Sequence, residues 1–300
     1  MSQTPKIPRF YVDTGLYQRA CGKWQPSEEH LPFVQLNPTN VLSVPPSTNR
    51  IKVPKITPIT YAAFLGHNAG MMYPEWLNDG VNIGLQSLTE VVNGQSYSNI
   101  DSVEHEGWSL WTFPDNDEAD EIQAVFHSEA NCGAVSFGEY YDMPHSPDVS
   151  LTLSYEYDGI KEQTTKGGST LSNATYIKPA DWGSRGAWQL GDNINYRSGR
   201  RVWSLSFSYI TPDDIFPVNA TTSNPLDANP DDNTLLNGTD FFSVVWNRTL
   251  AGHLPMIFSP DNSDNSTQNF AICKFDQNSL KVTQASPLLY SISLKIKEIW

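Results

Sequence analysis

Large apolar residues alternate strictly with serine along Trp203-Ser204-Leu205-Ser206-Phe207-Ser208-Tyr209, and a period of two returns at residues 290–297. There Tyr290, Ile292, Leu294 and Ile296 project to one side, and Ser291, Ser293, Lys295 and Lys297 to the other. Side chains alternate faces along a strand, so each run predicts a ribbon with one face on a core and one polar face. Val149-Ser150-Leu151-Thr152-Leu153-Ser154-Tyr155 repeats the pattern. Shorter β-like runs at 61–65, 108–113, 122–127 and 134–141 are bounded by Gly, Pro, Asn and Asp. With 21 Pro and 19 Gly as punctuation, the spacing predicts an all-β chain of two β-sandwich domains.

One helix interrupts this scheme, over residues 240–250. Thr239 or Asp240 can cap it, and Phe241, Phe242, Val245, Trp246 and Leu250 fall near an i, i+4 stripe. Gly252 stands where a left-handed residue ends a helix. Residues 211–238 lack any period and are rich in Pro, Asp and Asn, which predicts an exposed loop of unusual length. Residues 1–50 carry Pro5, Pro8, Pro26, Pro32, Pro38, Pro45 and Pro46, so an extended arm is expected there. A jelly-roll-like sandwich is expected over 51–145, and a second β domain, carrying the helix and the long loop, over 149–300. Pro144 and Pro147 mark the boundary between them.

Composition narrows the function classes. Lys+Arg 19 against Asp+Glu 33 gives a net charge of −14, which disfavours nucleic acid and anionic membrane as partners. No run of about 18 apolar residues occurs, so no membrane insertion is expected. The start, MSQTPKIPRF, has no apolar stretch of signal-peptide length, so the expectation is a soluble chain made in the cytoplasm. Cys21, Cys132 and Cys273 are far apart and fit neither a disulfide framework nor zinc spacing.

Candidate chemistry is thin. His67, His105, His127 and His145 pair with no other His or Cys at metal-ligand spacing, and a hydrogen-bonded structural role suits His67. The run Asp115-Asn116-Asp117-Glu118-Ala119-Asp120-Glu121 could grip calcium, but it lacks the glycine and terminal Glu of an EF-hand. There is no G-x-S-x-G elbow and no Cys with a His partner. Gly167-Gly168-Ser169-Thr170 has no P-loop Lys. Acid pairs such as Glu104/Glu106 or Asp213/Asp214 arise by chance among 33 acids. Trp108, Trp111 and Tyr140/Tyr141 could form a sugar-stacking platform, but core packing explains most of the aromatics, since aromatics favour strands anyway. No catalytic, cofactor-binding or metal residue is therefore assigned, and no enzyme activity or cofactor is expected.

A resemblance adds to this. The stretch Asn195-Tyr196-Arg197-Ser198-Gly199-Arg200-Arg201-Val202-Trp203 leads into the serine-alternating strand. Then come Trp246-Asn247-Arg248-Thr249-Leu250-Ala251-Gly252-His253-Leu254-Pro255-Met256-Ile257-Phe258-Ser259-Pro260-Asp261, Phe270-Ala271-Ile272-Cys273-Lys274-Phe275 and the 290–300 strand. This layout resembles structural proteins of tailed bacteriophages, marine ones especially. It is similar to the distal-tail and minor-tail-protein family, in which a small β domain with one helix closes into a ring. That family usually places the ring-forming domain first, whereas the similar region here is the second half. Residues 51–145 resemble galactose-binding-like jelly rolls at the level of pattern. The resemblance implies a virion component of the tail or baseplate, forming a homo-oligomeric ring of hexameric or related symmetry. The implied partners are the chain itself, other tail, baseplate or fibre proteins, and host surface glycans. The alternatives are a carbohydrate-binding or adhesion module and, more remotely, a tail-associated glycan hydrolase.

Overall fold

The computed structural model describes residues 6–36, 42–44, 50–67, 72–84, 88–90, 96–97, 107–126, 130–149, 151–157, 161–172, 199–216, 238–265 and 269–299. The expected sites at His105, His127, Glu104 and Glu106, and most of the 211–238 loop, lie outside them. In chain order the strands of the first half are β1 (Arg9–Asp13), β2 (Leu42–Val44), β3 (Arg50–Pro54), β4 (Tyr61–His67), β5 (Met72–Asn78), β6 (Val81–Asn82), β7 (Leu88–Glu90), β8 (Ser96–Tyr97), β9 (Gly107–Thr112), β10 (Glu121–Phe126), β11 (Ala130–Cys132) and β12 (Ala134–Asp142). Those of the second half are β13 (Thr152–Glu156), β14 (Glu162–Thr164), β15 (Thr170–Ser172), β16 (Arg200–Ile210), β17 (Met256–Ser259), β18 (Ala271–Phe275), β19 (Val282–Ser286) and β20 (Leu289–Glu298). A short helix, α1 (Thr14–Ala20), follows β1 directly. The chain is mainly β, as its periodicity predicts.

The two expected units share one sheet. Its order is β13-β16-β20-β18-β17-β1-β12-β4-β9-β7-β8, with β19 added beside β20. Among the described residues every pairing in it is antiparallel. β1 sits between the halves: Phe10 lies opposite Tyr141 on β12 and opposite Phe258 on β17. Here the structure departs from the extended arm expected over residues 1–50. Pro8 precedes the strand rather than interrupting it, and Phe10-Tyr11-Val12 is an aromatic and β-branched run that suits a strand buried on both faces. Gly138 makes its fit possible, because a Cβ there would stand 1.8 Å from the Val12 carbonyl oxygen.

Alternation along this sheet sorts the core into three parts. On one face Ala62, Phe64, Trp111, Val135 and Phe137 pack against Ile51, Val53, Trp76, Ile122 and Phe126 of a second sheet, ordered β3-β10-β5-β6. Further along the long sheet, Phe10, Val12, Trp203, Leu205, Phe207, Met256, Phe258 and Ile296 build a second cluster. Tyr11, Tyr61, Ala63, Leu65, Leu110, Ile257 and Ile272 point the opposite way into a third. Phe137, Glu139 and Tyr141 share a face, so Glu139 falls between the first cluster and the second. It receives the guanidinium of Arg248 there, almost fully buried, at 2.5 Å.

The expected helix at 240–250 is shorter and wider than its stripe suggested. Asp240 does cap it, accepting from the Ser243 backbone N–H at 3.0 Å and from its hydroxyl at 2.7 Å. The segment then makes a single π-helical turn, Phe242–Asn247. The extra residue per turn brings Phe241, Val244, Val245 and Trp246 together onto the second cluster. Gly252 has φ +86°, the left-handed geometry expected of it, and an added Cβ would meet Phe275 Cβ at 2.6 Å.

Candidate assembly surface

The second-half ribbon β13-β16-β20-β19 presents the most distinctive surface of the described residues. On β20 the predicted alternation holds: Ile292, Leu294 and Ile296 are buried, while Ser293 and Lys295 are exposed. Ser206 lies opposite Ser293 and Ser204 opposite Lys295, so the polar positions of two strands form one face. Its charges are satisfied locally, with Lys295 on Asp276 at 2.6 Å and Lys297 on Glu156 at 2.7 Å. Beside the Lys297–Glu156 pair, on the opposite face, Arg201 and Glu298 lock the same end of the ribbon: one guanidinium meets both carboxylate oxygens and the Phe270 carbonyl.

β16 breaks its own pattern at Tyr209. A bulge separates Phe207 from Ile210, and Tyr209 takes φ +68°. Ile210 therefore turns into the core and Tyr209 is 69% exposed. Asp148 holds the bulge, bonding the Ser208 hydroxyl at 2.9 Å while its own N–H donates to the Ser206 carbonyl at 2.7 Å.

β13 carries the ribbon's apolar anomaly. Leu153 lies opposite Trp203 and so points to the core face. Yet Leu153 is 43% and Tyr155 54% exposed, since among the described residues the buried cluster beneath the sheet reaches β16 and not β13. Leu151 and Tyr157 extend the same stripe. Apolar side chains at an edge strand are an assembly or aggregation feature, since they add a hydrophobic contact to a template of backbone donors and acceptors. The β14–β15 hairpin follows, also exposed, with Leu171 on it. Gly167-Gly168 is its turn: Gly168 has φ +83°, and Thr165 and Ser169 close the loop by backbone bonding at 2.8 Å. These glycines serve a hairpin rather than a phosphate cradle.

The other sequence candidates are absorbed into structure. Lys55 reaches into the acidic loop, with its ammonium 3.0 Å from Asp115 and 2.6 Å from the Asn116 carbonyl. Asp115 also accepts from the Ile59 N–H, and Asp120 from the Asp79 N–H. A lysine thus supplies the positive charge that a cation would bring, and no cluster of metal-ligating side chains occurs among the described residues. Asp214 caps the one-turn helix Pro212–Ile215 by accepting from the Thr211 hydroxyl at 2.6 Å. His67 is buried and bonded to the Ser109 hydroxyl at 3.0 Å. His145 is half-buried, 2.9 Å from the Ser146 carbonyl.

The aromatic platform is not assembled either. Trp111 is fully buried edge-on to Phe64, Tyr140 is covered by the Arg9 guanidinium, and Tyr141 donates to the Asp214 carbonyl. Only the backbone of Trp108 is described. Burial pushes the Cys132 thiol up to about 12 and the Cys273 thiol well above its ordinary value, so both stay protonated hydrophobes. Cys21 is exposed. No helix among the described residues is long and apolar enough to cross a membrane.

Sequence reasoning had no signal for two buried polar groups. One is the Arg248–Glu139 pair. The other is Asp13, which caps α1 through the Leu16 N–H at 2.8 Å. Burial raises its carboxyl to about 6, against the lowering effect of bonds from Ser136 and the backbone. Ser136 in turn bonds the Tyr61 hydroxyl at 2.8 Å. These are fastenings of β1 and α1, enclosed by the core rather than open to a substrate. No family model matches the chain, and no curated protein or solved structure is similar to it.

Proposed function

We propose that the chain is a structural subunit that assembles with copies of itself, and that it performs no chemistry of its own. The observation that carries this reading is β13, where the core-facing apolar side chains Leu153 and Tyr155 stay exposed beyond the buried cluster of the described residues. Leaving Leu153 and Tyr155 in water forgoes a few kcal/mol that a neighbour could recover, at roughly 25 cal/mol per Å² of apolar surface buried. The titratable groups point the same way. The most strongly shifted carboxyl, Asp13, caps a helix inside the core, and Glu139 is held by Arg248.

The place of assembly follows from the resemblance of the second half to the distal-tail and minor-tail family. On that basis the subunit belongs to the tail or baseplate of a bacteriophage, forms a homo-oligomeric ring, and scaffolds neighbouring tail or fibre proteins. The carbohydrate-binding alternative loses support, since Trp111 is enclosed and Tyr140 and Tyr141 are engaged within the fold.

Native mass spectrometry and negative-stain microscopy of the purified chain at micromolar concentration test the assembly. The expected result is a closed ring of six-fold or related symmetry, and labelling of intact virions should place it at the tail end. A chain that stays strictly monomeric and is missing from purified virions overturns the reading.

A further inference from the structure

The piece of chain that joins the two halves is itself tied to the following strands by an exposed connection. β1, α1 and Trp24 reach all three core clusters: Phe10 and Val12 lie in the second, Tyr11 and Leu16 in the third, and Trp24 packs against the first. Trp24 also stands beside α1, since a Cβ on Gly15 would come 3.3 Å from its ring. Residues 25–31 follow. Gln25, Ser27, Glu28 and Glu29 are exposed there, His30 and Leu31 are half-buried, and Pro26 is buried. Among the described residues the backbone hydrogen bonds of 25–31 are all local, running from His30 and Leu31 to the Ser27 carbonyl and from Phe33 to the His30 carbonyl. We infer that assembled copies exchange this piece, so that residues 6–24 of one copy fill the slot between β12 and β17 of the next. This rests on the self-assembly reading above and names what each copy gives its neighbour.

The slot itself does not distinguish its own arm from a neighbour's. Arg9 meets Asp142 through two hydrogen bonds, at 2.6 and 2.7 Å, and Phe10 packs against Phe241, Phe258 and Phe275. The Met143 N–H donates to the Pro8 carbonyl at 3.0 Å, and the Gln18 side-chain amide donates to the Pro54 carbonyl at 2.8 Å. The Val12 carbonyl lies over Gly138, where no Cβ would fit. Each of these contacts runs from residues 6–24 to residues beyond 31, so each survives when the arm comes from another copy. Exchange then gives up no burial and costs only what association costs, which makes it a low-cost route to oligomers.

The connection permits the move. In the structure the piece fills the slot of its own chain, and residues 27–31 turn back on themselves. Gln25 and Leu31 each precede a proline, which biases their backbone toward extended geometry. Opened out, 25–31 spans roughly 23 Å, enough to reach a slot on an abutting copy. An arm passed on in one direction is a contact between two different surfaces, which closes into a ring or continues as a filament.

A disulfide across the slot reads which chain fills it. Arg9 and Asp142 lie directly opposite each other, and Cys132 and Cys273 are buried. Arg9→Cys with Asp142→Cys, in a Cys21→Ser background, therefore puts one thiol on the arm and one on the slot. Assembled protein is oxidised mildly, denatured and resolved without reductant. The expected result is a series of covalent dimers and larger species that needs both cysteines. A second arm keeps the test independent of that variant's folding. Arg9→Asp and Asp142→Arg each set like charges across the slot, whereas exchange between the two variants sets opposite charges there. Unfolded and refolded together, they should assemble about threefold better than either alone. Assembled protein that yields only covalent monomers, or a mixture that gains nothing, overturns the exchange and leaves self-assembly standing. A wild-type chain that is monomeric under the same conditions overturns both.

Discussion

β1 and β13 are both five-residue strands of one sheet, and they live in opposite circumstances. β1 reads Arg9-Phe10-Tyr11-Val12-Asp13, has no alternation, and is paired on both sides and buried on both faces. β13 reads Thr152-Leu153-Ser154-Tyr155-Glu156, alternates cleanly, and is exposed on both faces. The comparison shows that hydrophobic period reports how many faces a strand means to bury, while saying nothing of how many edges are paired. β1 stitches the molecule together. β13 pairs with β16 and leaves its apolar side chains, Leu153 and Tyr155, exposed.

The sharpest way to break the contrast is at Gly138. Gly138→Ala pushes a methyl group into the Val12 carbonyl and should expel β1, costing about 5 kcal/mol or preventing folding. Because β1 carries both halves, chemical denaturation followed by tryptophan fluorescence and by far-UV circular dichroism should show both lost together.

Next in size is the ion pair at the seam. Arg248→Met leaves Glu139 facing apolar surroundings without its cation and should cost about 3–5 kcal/mol. The double variant Arg248→Met/Glu139→Leu should recover much of that loss, which a denaturant-midpoint series on the two single variants and the double would read.

Asp13 gives a smaller, pH-dependent effect. Its folded carboxyl is raised to about 6, so between roughly pH 4 and 6 the folded state binds more protons than the unfolded state. Asp13 therefore costs stability increasingly as pH rises through that window. Asp13→Asn keeps an oxygen acceptor for the Leu16 N–H and removes the buried charge. Its stability relative to the wild type should climb by on the order of 2 kcal/mol from pH 4 to pH 7, measured by thermal melts across the range.

Last is the edge. Leu153→Ser should change the stability of the single subunit by less than about 1 kcal/mol, since the side chain is already half in water. Analytical ultracentrifugation should nevertheless show weakened assembly. A large loss of subunit stability would place Leu153 in the core and dissolve the contrast with β1.

The strands of the second half were legible because their alternation is strict: the buried and exposed positions of β20 match it residue by residue from Ile292 to Ile296. Gly252 was legible for the same kind of reason, a local rule about left-handed backbone. Tyr209 was not, since its alternation with serine predicts a core residue and a bulge held by Asp148, sixty-one positions earlier, turns it outward. The acidic loop offered a cation grip that lacked the marks of an EF-hand, and nothing local showed that Lys55 would reach Asp115 from a distant strand end. Trp111 was a candidate for a platform although core packing was the simpler reading of it, and its burial against Phe64 makes it a core residue.

The sequence by itself determined that the chain is mainly β, which faces of its ribbons are apolar, and where a capped turn precedes the 256–259 strand. These follow from periodicity, turn residues and caps, all of which act over a few neighbouring positions. Tertiary structure alone decided that the first strand joins both halves, that Arg248 and Glu139 meet at the seam, and that β13 leaves Leu153 and Tyr155 exposed. Those outcomes depend on which strands pair, and pairing is settled by the summed burial of distant residues.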